Sequence, residues 1–426
     1  MRTNKIIEAI HEGRLDERLT EIYADPYIIP YEKKRYEQAL YQYNATFGAD
    51  EVEIFSAPGR SEIGGNHTDH QHGEVLAASI NRDAIAIVKK LNRPRVTILS
   101  DGYTSEIKVD IDDLDKRKSE GGTTAALIRG VLAKIQINGY SIGGFQAYIT
   151  SDVLIGAGLS SSAAFETLIG TIVSYLYNNN EISAVEIAKI GQYAENVYFG
   201  KPCGLMDQMA CSVGSLVHIN FADVKRPKIE QVQLDLDAHG YSLCITDTKG
   251  SHADLTPDYA AIPQEMKQVA EFFGKEVLGQ VSKQDILRDI PQIREKAGDR
   301  AFLRAIHFMN ENERVQQEAE ALKQDHFSEF LELVKESGNS SYKYLQNVYT
   351  SRYIRHQNLS VALAVSDMVL GKQGASRVHG GGFAGTIQAF VPENMVEDYR
   401  EAMEDIFGEG TCQVLKIRKY GGVKVL

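Results

Sequence analysis

The 426-residue chain is poor in cysteine, carries no excess of positive charge and contains no unbroken apolar run. Its four cysteines are Cys203, Cys211, Cys244 and Cys412. No pair has zinc-ligand spacing, and the number is too small for a disulfide scaffold in so long a chain, so reduced thiols in the cytoplasm are expected. Lys and Arg total 46 against 58 Asp and Glu, a net charge of −12. That balance argues against nonspecific attachment to nucleic acid or to an anionic membrane. The most apolar stretch, residues 153–177, is interrupted by Gly156, Gly158, the serines 160–162 and Glu166, so no membrane span is expected. Residues 1–14 mix charge with short apolar pairs and lack the apolar centre of a signal peptide. An anionic substrate would need locally arranged N–H groups, an arginine or a metal ion.

What is present reads as a soluble globular chain large enough for two or three domains without a disulfide or metal staple. Residues 4–43 combine helical periodicity with many charges and form a helical amino-terminal extension, taken as residues 1–45. Strand-like alternation appears at 51–55, 84–88, 96–99, 106–111 and 145–149. A helix follows with Phe165, Leu168, Ile169, Ile172 and Leu176 on one face. A second opens on a capping box, Ser183 with Glu186, between the staple residues Ile182 and Ile187. Strands recur at 215–220 and 241–246, then a long helical region spans 264–371. Within it the outward face of 302–324, rich in Glu, Gln and Asn, reads as solvated. Strands return at 386–391 and 413–419. Strand clusters separated by helices predict an α+β fold of two domains, 46–215 and 216–426.

Four segments are richer in Gly, Ser and paired polar residues than structure alone requires: residues 57–70 (APGRSEIGGNHTDH), 156–163 (GAGLSSSA), 203–208 (CGLMDQ) and 377–385 (RVHGGGFAG). In the second, glycines and serines lead from a strand into a helix. Converging N–H groups and a helix amino terminus suit a phosphate there, although a plain turn with a serine N-cap fits the same residues. It is not a Walker A loop, because no Gly-Lys is followed by Ser or Thr. The fourth matches G-x-G-x-x-G through Gly380, Gly382 and Gly385 but runs into a strand, which excludes a dinucleotide fingerprint. It is either a turn supporting another phosphate-binding surface or a bulge. His67, His70 and His72 with Asp69 match no common helical metal motif and read as surface or hydrogen-bonding histidines.

In this order the four segments resemble the galactokinases of the GHMP small-molecule kinase superfamily, from about residue 45 to the carboxy terminus. The GLSSSA loop marks only the superfamily, and homoserine- and mevalonate-type kinases do not explain the first segment. The galactokinase signature G-R-x-N-x-I-G-E-H-x-D-Y is met by Gly59, Arg60, Gly65, His67 and Asp69. The resemblance implies two GHMP-like domains, with mixed and antiparallel sheets flanked by helices and the active site in the cleft between them. It implies Arg60 beside the transferred phosphate and Asp207, in Gly204-Leu-Met-Asp-Gln208, as general base. Glu62, Asn66, His67, Asp69, Gly204 and Tyr259 become sugar-binding candidates. Gly156, Gly158, Ser160, Ser161, Ser162, Gly381 and Gly382 become ATP-binding candidates, and Ser162 and Glu195 the Mg²⁺ ligands. The signature's Asn, Glu and Tyr are replaced by Glu62, Asn66 and His70. The arginine pair expected after Tyr259 is missing from residues 260–264. The expected activity is ATP-dependent phosphorylation of the 1-hydroxyl of galactose or a galactose-like sugar. A modified galactose such as galacturonate, or sugar and ATP sensing without turnover, are the alternatives.

Overall fold

In the computed structural model, residues 1–153, 158–250 and 255–426 are described, and among these two sheets form. The chain opens with helices α1 (Thr3–His11), α2 (Asp16–Tyr23) and α3 (Ile29–Phe47), as the charge-rich periodicity predicts. Strands β1 (Glu53–Gly64), β2 (Glu74–Lys90), β3 (Arg95–Ser100) and β4 (Ile107–Asp110) follow, then α4 (Thr124–Ile137) and β5 (Phe145–Ser151). Helices α5 (Ser161–Asn178), α6 (Ala184–Tyr193) and α7 (Met206–Val213) lead to β6 (Leu216–Asn220) and β7 (Lys228–Val232). The first sheet has the order β12-β1-β2-β5-β3-β4, where β12 is the carboxy-terminal pair Val423–Lys424, and β6 joins β2 to β7. Only the β3–β5 pairing in it is parallel.

Both faces of this sheet are covered, which explains why β2 reads as a near-continuous apolar run. Ala84, Ala86 and Val88 face α4, α5 and α6, while Ile85 and Ile87 alternate to the opposite side beneath α1–α3. The Ser183 hydroxyl accepts from Glu186 N–H at 3.2 Å, so the predicted cap of α6 is made.

The boundary expected at residue 215 does not separate the sheets. β6 pairs antiparallel with the first half of β2, β7 extends it, and the carboxy-terminal residues return to pair with β1. Strand content is visible in local sequence; the partner strand is chosen by packing far away. The second lobe holds β8 (Tyr241–Asp247), β9 (Ala375–His379), β10 (Thr386–Pro392) and β11 (Cys412–Leu415) in the antiparallel order β11-β8-β10-β9. Its helices include α8 (Thr256–Phe272), α9 (Lys283–Arg288), α10 (Ile290–Ala297), α11 (Asp299–Lys323), α12 (Phe327–Ser340), α13 (Asn358–Leu370) and α14 (Val396–Phe407). A shared core joins the lobes: Ile63, Leu76 and Ile80 of the first sheet pack with Phe330, Val334 and Phe390 of the second lobe.

The solvated reading of 302–324 holds for Glu313, Gln316, Gln317 and Glu320, which are exposed, but not for every polar residue of the helix. Arg304, His307, Glu311, Arg314 and Glu318 are buried on α11. Arg304 pairs with Glu265, His307 meets Ser340 and the Asn66 carbonyl, and Glu311 accepts from the Gly65 N–H and Arg314, so the inner polar residues of this helix make internal contacts.

A second buried network fastens the amino-terminal helices. Asp83 on β2 accepts from Arg35 of α3 at 2.7 Å, from Tyr23 of α2 at 2.9 Å and from Arg418 at 3.0 Å. All four residues are buried. Asp83→Ala leaves the buried Arg418 without a carboxylate and Arg35 with Glu32 in place of two close acidic partners, and is expected to cost about 3–5 kcal/mol. Urea unfolding measures this; a midpoint equal to that of the unsubstituted chain would rule out the anchoring role.

Candidate active site

Arg60 lies on β1 and Asp207 in the first turn of α7, 147 residues apart in sequence, and their side chains meet. Arg60 Nε donates to Asp207 Oδ1 at 2.7 Å, and an Arg60 terminal nitrogen donates to the Gly158 carbonyl. Ser160 Oγ donates to Asp207 Oδ2 at 2.5 Å. Burial opposes ionisation of Asp207, but the charge and hydrogen bond of Arg60, with the Ser160 hydroxyl, carry its pKa below the ordinary carboxylate value. The Asp207 side chain keeps 36% of its surface exposed, so the ionised carboxylate borders the cleft.

Ser160 adopts a left-handed backbone, φ 60°, immediately before α5, and its side chain does not cap that helix. The serine N-cap reading is therefore set aside: the hydroxyl is diverted to Asp207. Ser161 and Ser162 occupy the first turn of α5, whose N–H groups carry partial positive charge. Gly158 packs against Thr386 and His379 of the second lobe. Gly156 lies outside the described residues.

Ser162 Oγ donates to Glu195 Oε1 at 3.2 Å. Glu195 sits in a π-helical turn, Ala194–Phe199, that continues α6. Lys201 Nζ lies 3.3 Å from Glu195 Oε1, and Gln208 Nε2 bridges Glu195 Oε2 at 2.8 Å and Glu166 Oε2 at 3.1 Å. Burial, with the neighbouring Glu195 charge, pushes the Glu166 pKa well up. Lys201, Glu166 and the bridging role of Gln208 escape sequence reasoning. The available signal is Glu166 itself, a carboxylate inside an apolar helix.

The sugar candidates divide. Asp69 packs against Gly204, where a Cβ would sit 1.7 Å from Asp69 Oδ2, so only glycine fits. Burial and the Asp207 charge raise the Asp69 pKa. Glu62 and Asn66, by contrast, are 3% and 0% exposed. Asn66 Nδ2 donates to Glu62 Oε1 at 2.9 Å and to the Gly380 carbonyl at 2.7 Å. Asn66 Oδ1 accepts from Asn347 Nδ2 at 2.8 Å and Ser341 Oγ at 3.2 Å. Its side chain is fully spent inside the protein. Glu62 pairs with Arg377 at 2.7 Å, and burial pushes its pKa up to about 7 despite that arginine. Their assignment to sugar contact is corrected: both belong to a buried network between the lobes.

His67 Nε2 meets the Gly381 carbonyl at 3.1 Å, and Tyr259 OH donates to the Gly382 carbonyl at 2.8 Å. The glycine turn assigned to ATP is thus tied by its carbonyls to two residues assigned to sugar. No arginine replaces the missing pair within 260–264, but Arg352 of another segment pairs with Asp258, next to Tyr259.

Residues 41–90 match the galactokinase galactose-binding signature, and residues 126–215 match the GHMP kinase N-terminal domain. The galactokinase of Actinobacillus pleuropneumoniae serotype 5b (strain L20) is 30% identical over 386 residues, 89% of this chain and 95% of that protein. The galactokinase of Glaesserella parasuis serovar 5 (strain SH0165) is 31% identical over 376 residues, 87% and 93% of the two chains. The chain belongs to the galactokinase family. The galactokinase family fold is also that of Lactococcus lactis galactokinase, crystallised with galactose, at TM-score 0.77 and 24% identity over 90% of this chain and 98% of that one. A mevalonate kinase structure matches at TM-score 0.59 and 15% identity over 85% and 99%, which extends the likeness to the wider GHMP fold. As a galactokinase-family member the protein is a sugar kinase, in a superfamily whose phosphate donor is ATP. Among the described residues no helix is long and apolar enough to cross a membrane.

Burial lowers the pKa of His67 to about 3 and of His70 to about 4, against 6.5 ordinarily. Above pH 6.5 folded and unfolded chains are both neutral at these rings, and the full stability is present. As pH falls from 6.5 towards 4 the unfolded chain takes up protons that the folded site refuses, so stability is lost across that window. A His67→Gln, His70→Gln double variant should show a shallower fall of its urea midpoint over pH 6.5 to 4. An unchanged slope would assign the acid sensitivity to other groups.

Proposed function

We propose that this chain transfers the γ-phosphate of ATP to the anomeric hydroxyl of galactose or a galactose-like sugar, giving the sugar 1-phosphate. The carrying observation is the Arg60–Asp207 pair, held by Ser160 and the Gly158 carbonyl beside the amino terminus of α5. A sugar hydroxyl is a weak nucleophile and the ATP phosphates repel it, so catalysis rests on positioning and charge stabilisation. Asp207, with its pKa below the usual value, is a weak base. That suits a loose transition state, in which the hydroxyl proton leaves late and the carboxylate first orients the nucleophile. Arg60 keeps Asp207 ionised and would stabilise the negative charge that passes from the attacking oxygen through the phosphoryl group to the leaving oxygen of ADP. The serine loop and α5 amino terminus would receive the phosphates through N–H groups and hydroxyls.

Ser162 and Glu195 fit Mg²⁺: both offer hard oxygen donors, and this ion is commonly held by one or two protein oxygens plus nucleotide phosphates. When bound it would supply charge neutralisation on the phosphate oxygens. Lys201 Nζ, 3.3 Å from Glu195 Oε1, balances the charge of that carboxylate.

A modified galactose such as galacturonate is the second reading. The engaged, neutral Asn66 leaves no anion from that position to repel a carboxylate substituent.

Arg60→Ala should lower kcat by about 10²–10³ if the arginine acts as a preorganised charge donor; unchanged turnover would remove that role. Asp207→Asn should abolish transfer while ATP affinity, measured by titration, stays near that of the unsubstituted chain. Full activity in that variant would sink the general-base assignment. A coupled ADP-release assay on a panel of hexoses, pentoses and uronates, with the phosphate position read by NMR, tests the substrate. Phosphate on any oxygen other than the anomeric one would overturn the 1-kinase reading.

A further inference from the structure

Three consecutive carbonyls of the turn between β9 and β10 each receive a side-chain donor. Asn66 Nδ2 binds Gly380 O at 2.7 Å, His67 Nε2 binds Gly381 O at 3.1 Å, and Tyr259 OH binds Gly382 O at 2.8 Å. His379, which leads into this turn, packs against Gly158, and the Gly158 carbonyl accepts from Arg60. The three donors therefore set a turn that abuts the catalytic pair.

Of the three, His67 is the one whose donor is not fixed by its own chemistry. An imidazole donates from Nε2 only in one neutral tautomer. The surroundings determine which. His67 Nδ1 lies 3.4 Å from His70 Nε2, His70 Nδ1 lies 3.3 Å from Gln71 Nε2, and Gln71 Oε1 accepts from the Leu278 N–H at 3.1 Å. A backbone N–H can only donate, so the Gln71 carbonyl oxygen faces Leu278 and its NH₂ faces His70. His70 Nδ1 must then accept, which places the proton on His70 Nε2. That proton meets His67 Nδ1, which must accept in turn, and the His67 proton is left on Nε2. There it meets the Gly381 carbonyl, which can only accept. Both ends of the chain are obligate, so its direction has one solution. Burial keeps both rings neutral, as the chain requires. The two rings meet edge to face, with centroids 5.6 Å apart.

We propose that His70 is a positioning residue: oriented by Gln71, it holds His67 in the Nε2–H tautomer, and His67 thereby fixes the glycine turn beside the catalytic pair. His67 and His70 then serve the sugar side of the cleft through the backbone rather than by contact with a sugar hydroxyl. The kinetic part of this inference rests on the sugar-kinase reading above; the tautomer part does not.

Long-range ¹H–¹⁵N correlation spectra of the ¹⁵N-histidine-labelled full chain read the tautomers directly, with the two rings assigned by His67→Gln and His70→Gln. Both rings are expected with Nδ1 unprotonated and Nε2 protonated, and a proton on either Nδ1 would overturn the proposal. Gln71→Glu replaces a donor by an acceptor and should draw the His70 proton to Nδ1, turning the chain around and leaving His67 Nε2 without a proton towards Gly381. Its KM for the best sugar of the panel should rise about 5–10-fold, the loss of roughly one hydrogen bond, with KM for ATP within about twofold. His70→Phe should raise the sugar KM similarly, whereas His70→Gln keeps an NH₂ towards His67 and should restore most of it. Equal sugar KM values for the Phe and Gln variants, or Gln71→Glu with neither tautomer nor KM altered, would refute the positioning role. If no sugar is phosphorylated, the kinase reading fails, and the spectra of the unliganded chain still decide the tautomers.

Discussion

A guanidinium that is 6% exposed has to be answered from all sides, and the answer given to Arg60 organises the cleft. Unpaired, it would cost several kcal/mol. Asp207 supplies the opposite charge from α7, Gly158 supplies a carbonyl from the loop before α5, and the backbone N–H of Arg60 donates to Leu159 O at 3.1 Å. One side chain on β1 thus registers the loop before α5 against the loop before α7. Ser160 takes a left-handed backbone, a conformation costing on the order of 1–3 kcal/mol for a residue other than glycine, and its hydroxyl serves Asp207 instead of capping α5. Among the described residues, no side chain caps the helix amino terminus. Such a terminus suits an anion, so the geometry that pairs Arg60 with Asp207 is compatible with the phosphate placement proposed above.

The strand carrying Arg60 is fixed from the second lobe. Arg377 donates to the Ile63 carbonyl at 2.6 Å and to Glu62 at 2.7 Å, and Gln388 Nε2 donates to Ser61 Oγ and Glu62 O. The Glu62 N–H donates to His379 Nε2 at 3.2 Å, so His379 carries its proton on Nδ1, against Thr386 Oγ1 at 2.9 Å. Glu311 and Glu318 of α11 complete this layer. Three carboxyl groups, Glu62, Glu311 and Glu318, face two guanidinium groups, Arg314 and Arg377. Charge balance requires one carboxyl to be neutral. Glu311 is engaged by Arg314 and Ser337, and Glu62 by Arg377 and Asn66, whereas neither Glu318 oxygen has a hydrogen-bond partner among the described residues. Burial raises the Glu318 pKa well above the carboxylate range, so Glu318 is the neutral member. Its place depends on Gly64, where a Cβ would lie 1.9 Å from a Glu318 oxygen and where the signature carries Ile.

Local periodicity was enough for the helices of the amino-terminal extension, the capping box at Ser183 and most strands, because those depend on neighbours a few residues away. The galactokinase resemblance named Arg60, Asp207, Ser162 and Glu195 together, and the fold pairs Arg60 with Asp207 and Ser162 with Glu195, with Gln208 next to Asp207 reaching Glu195. The illegible part is long-range. Nothing near residue 216 says that β6 pairs with β2, and nothing in 302–324 distinguishes a solvated Glu from one that faces Arg377. Glu62 and Asn66 show the limit most plainly. The resemblance assigned them to a sugar, yet each partner of their side-chain polar atoms, apart from the mutual bond, comes from residues 341–381.

The exchange of Glu and Asn between positions 62 and 66 then has a physical meaning. Their mutual hydrogen bond survives whichever of the two is the carboxylate, but the charge moves. At 62 the carboxylate lies against Arg377, inside the layer between the lobes. At 66 a carboxylate would lose the donor that now binds Gly380 O and would face the carbonyls of the glycine turn. The neutral Asn66 is therefore required by the turn, and Glu62 by Arg377, so the two departures from the signature form one change. It sets the carboxylate against Arg377 rather than the glycine turn while leaving Asp69, Asp207 and Arg60 in place. In the function proposed, Asp69, held against Gly204, is then the carboxylate left to meet sugar hydroxyls and set selectivity among them. The reacting centre stays independent of that selectivity, since no bond of the Arg60–Asp207 pair passes through residue 66.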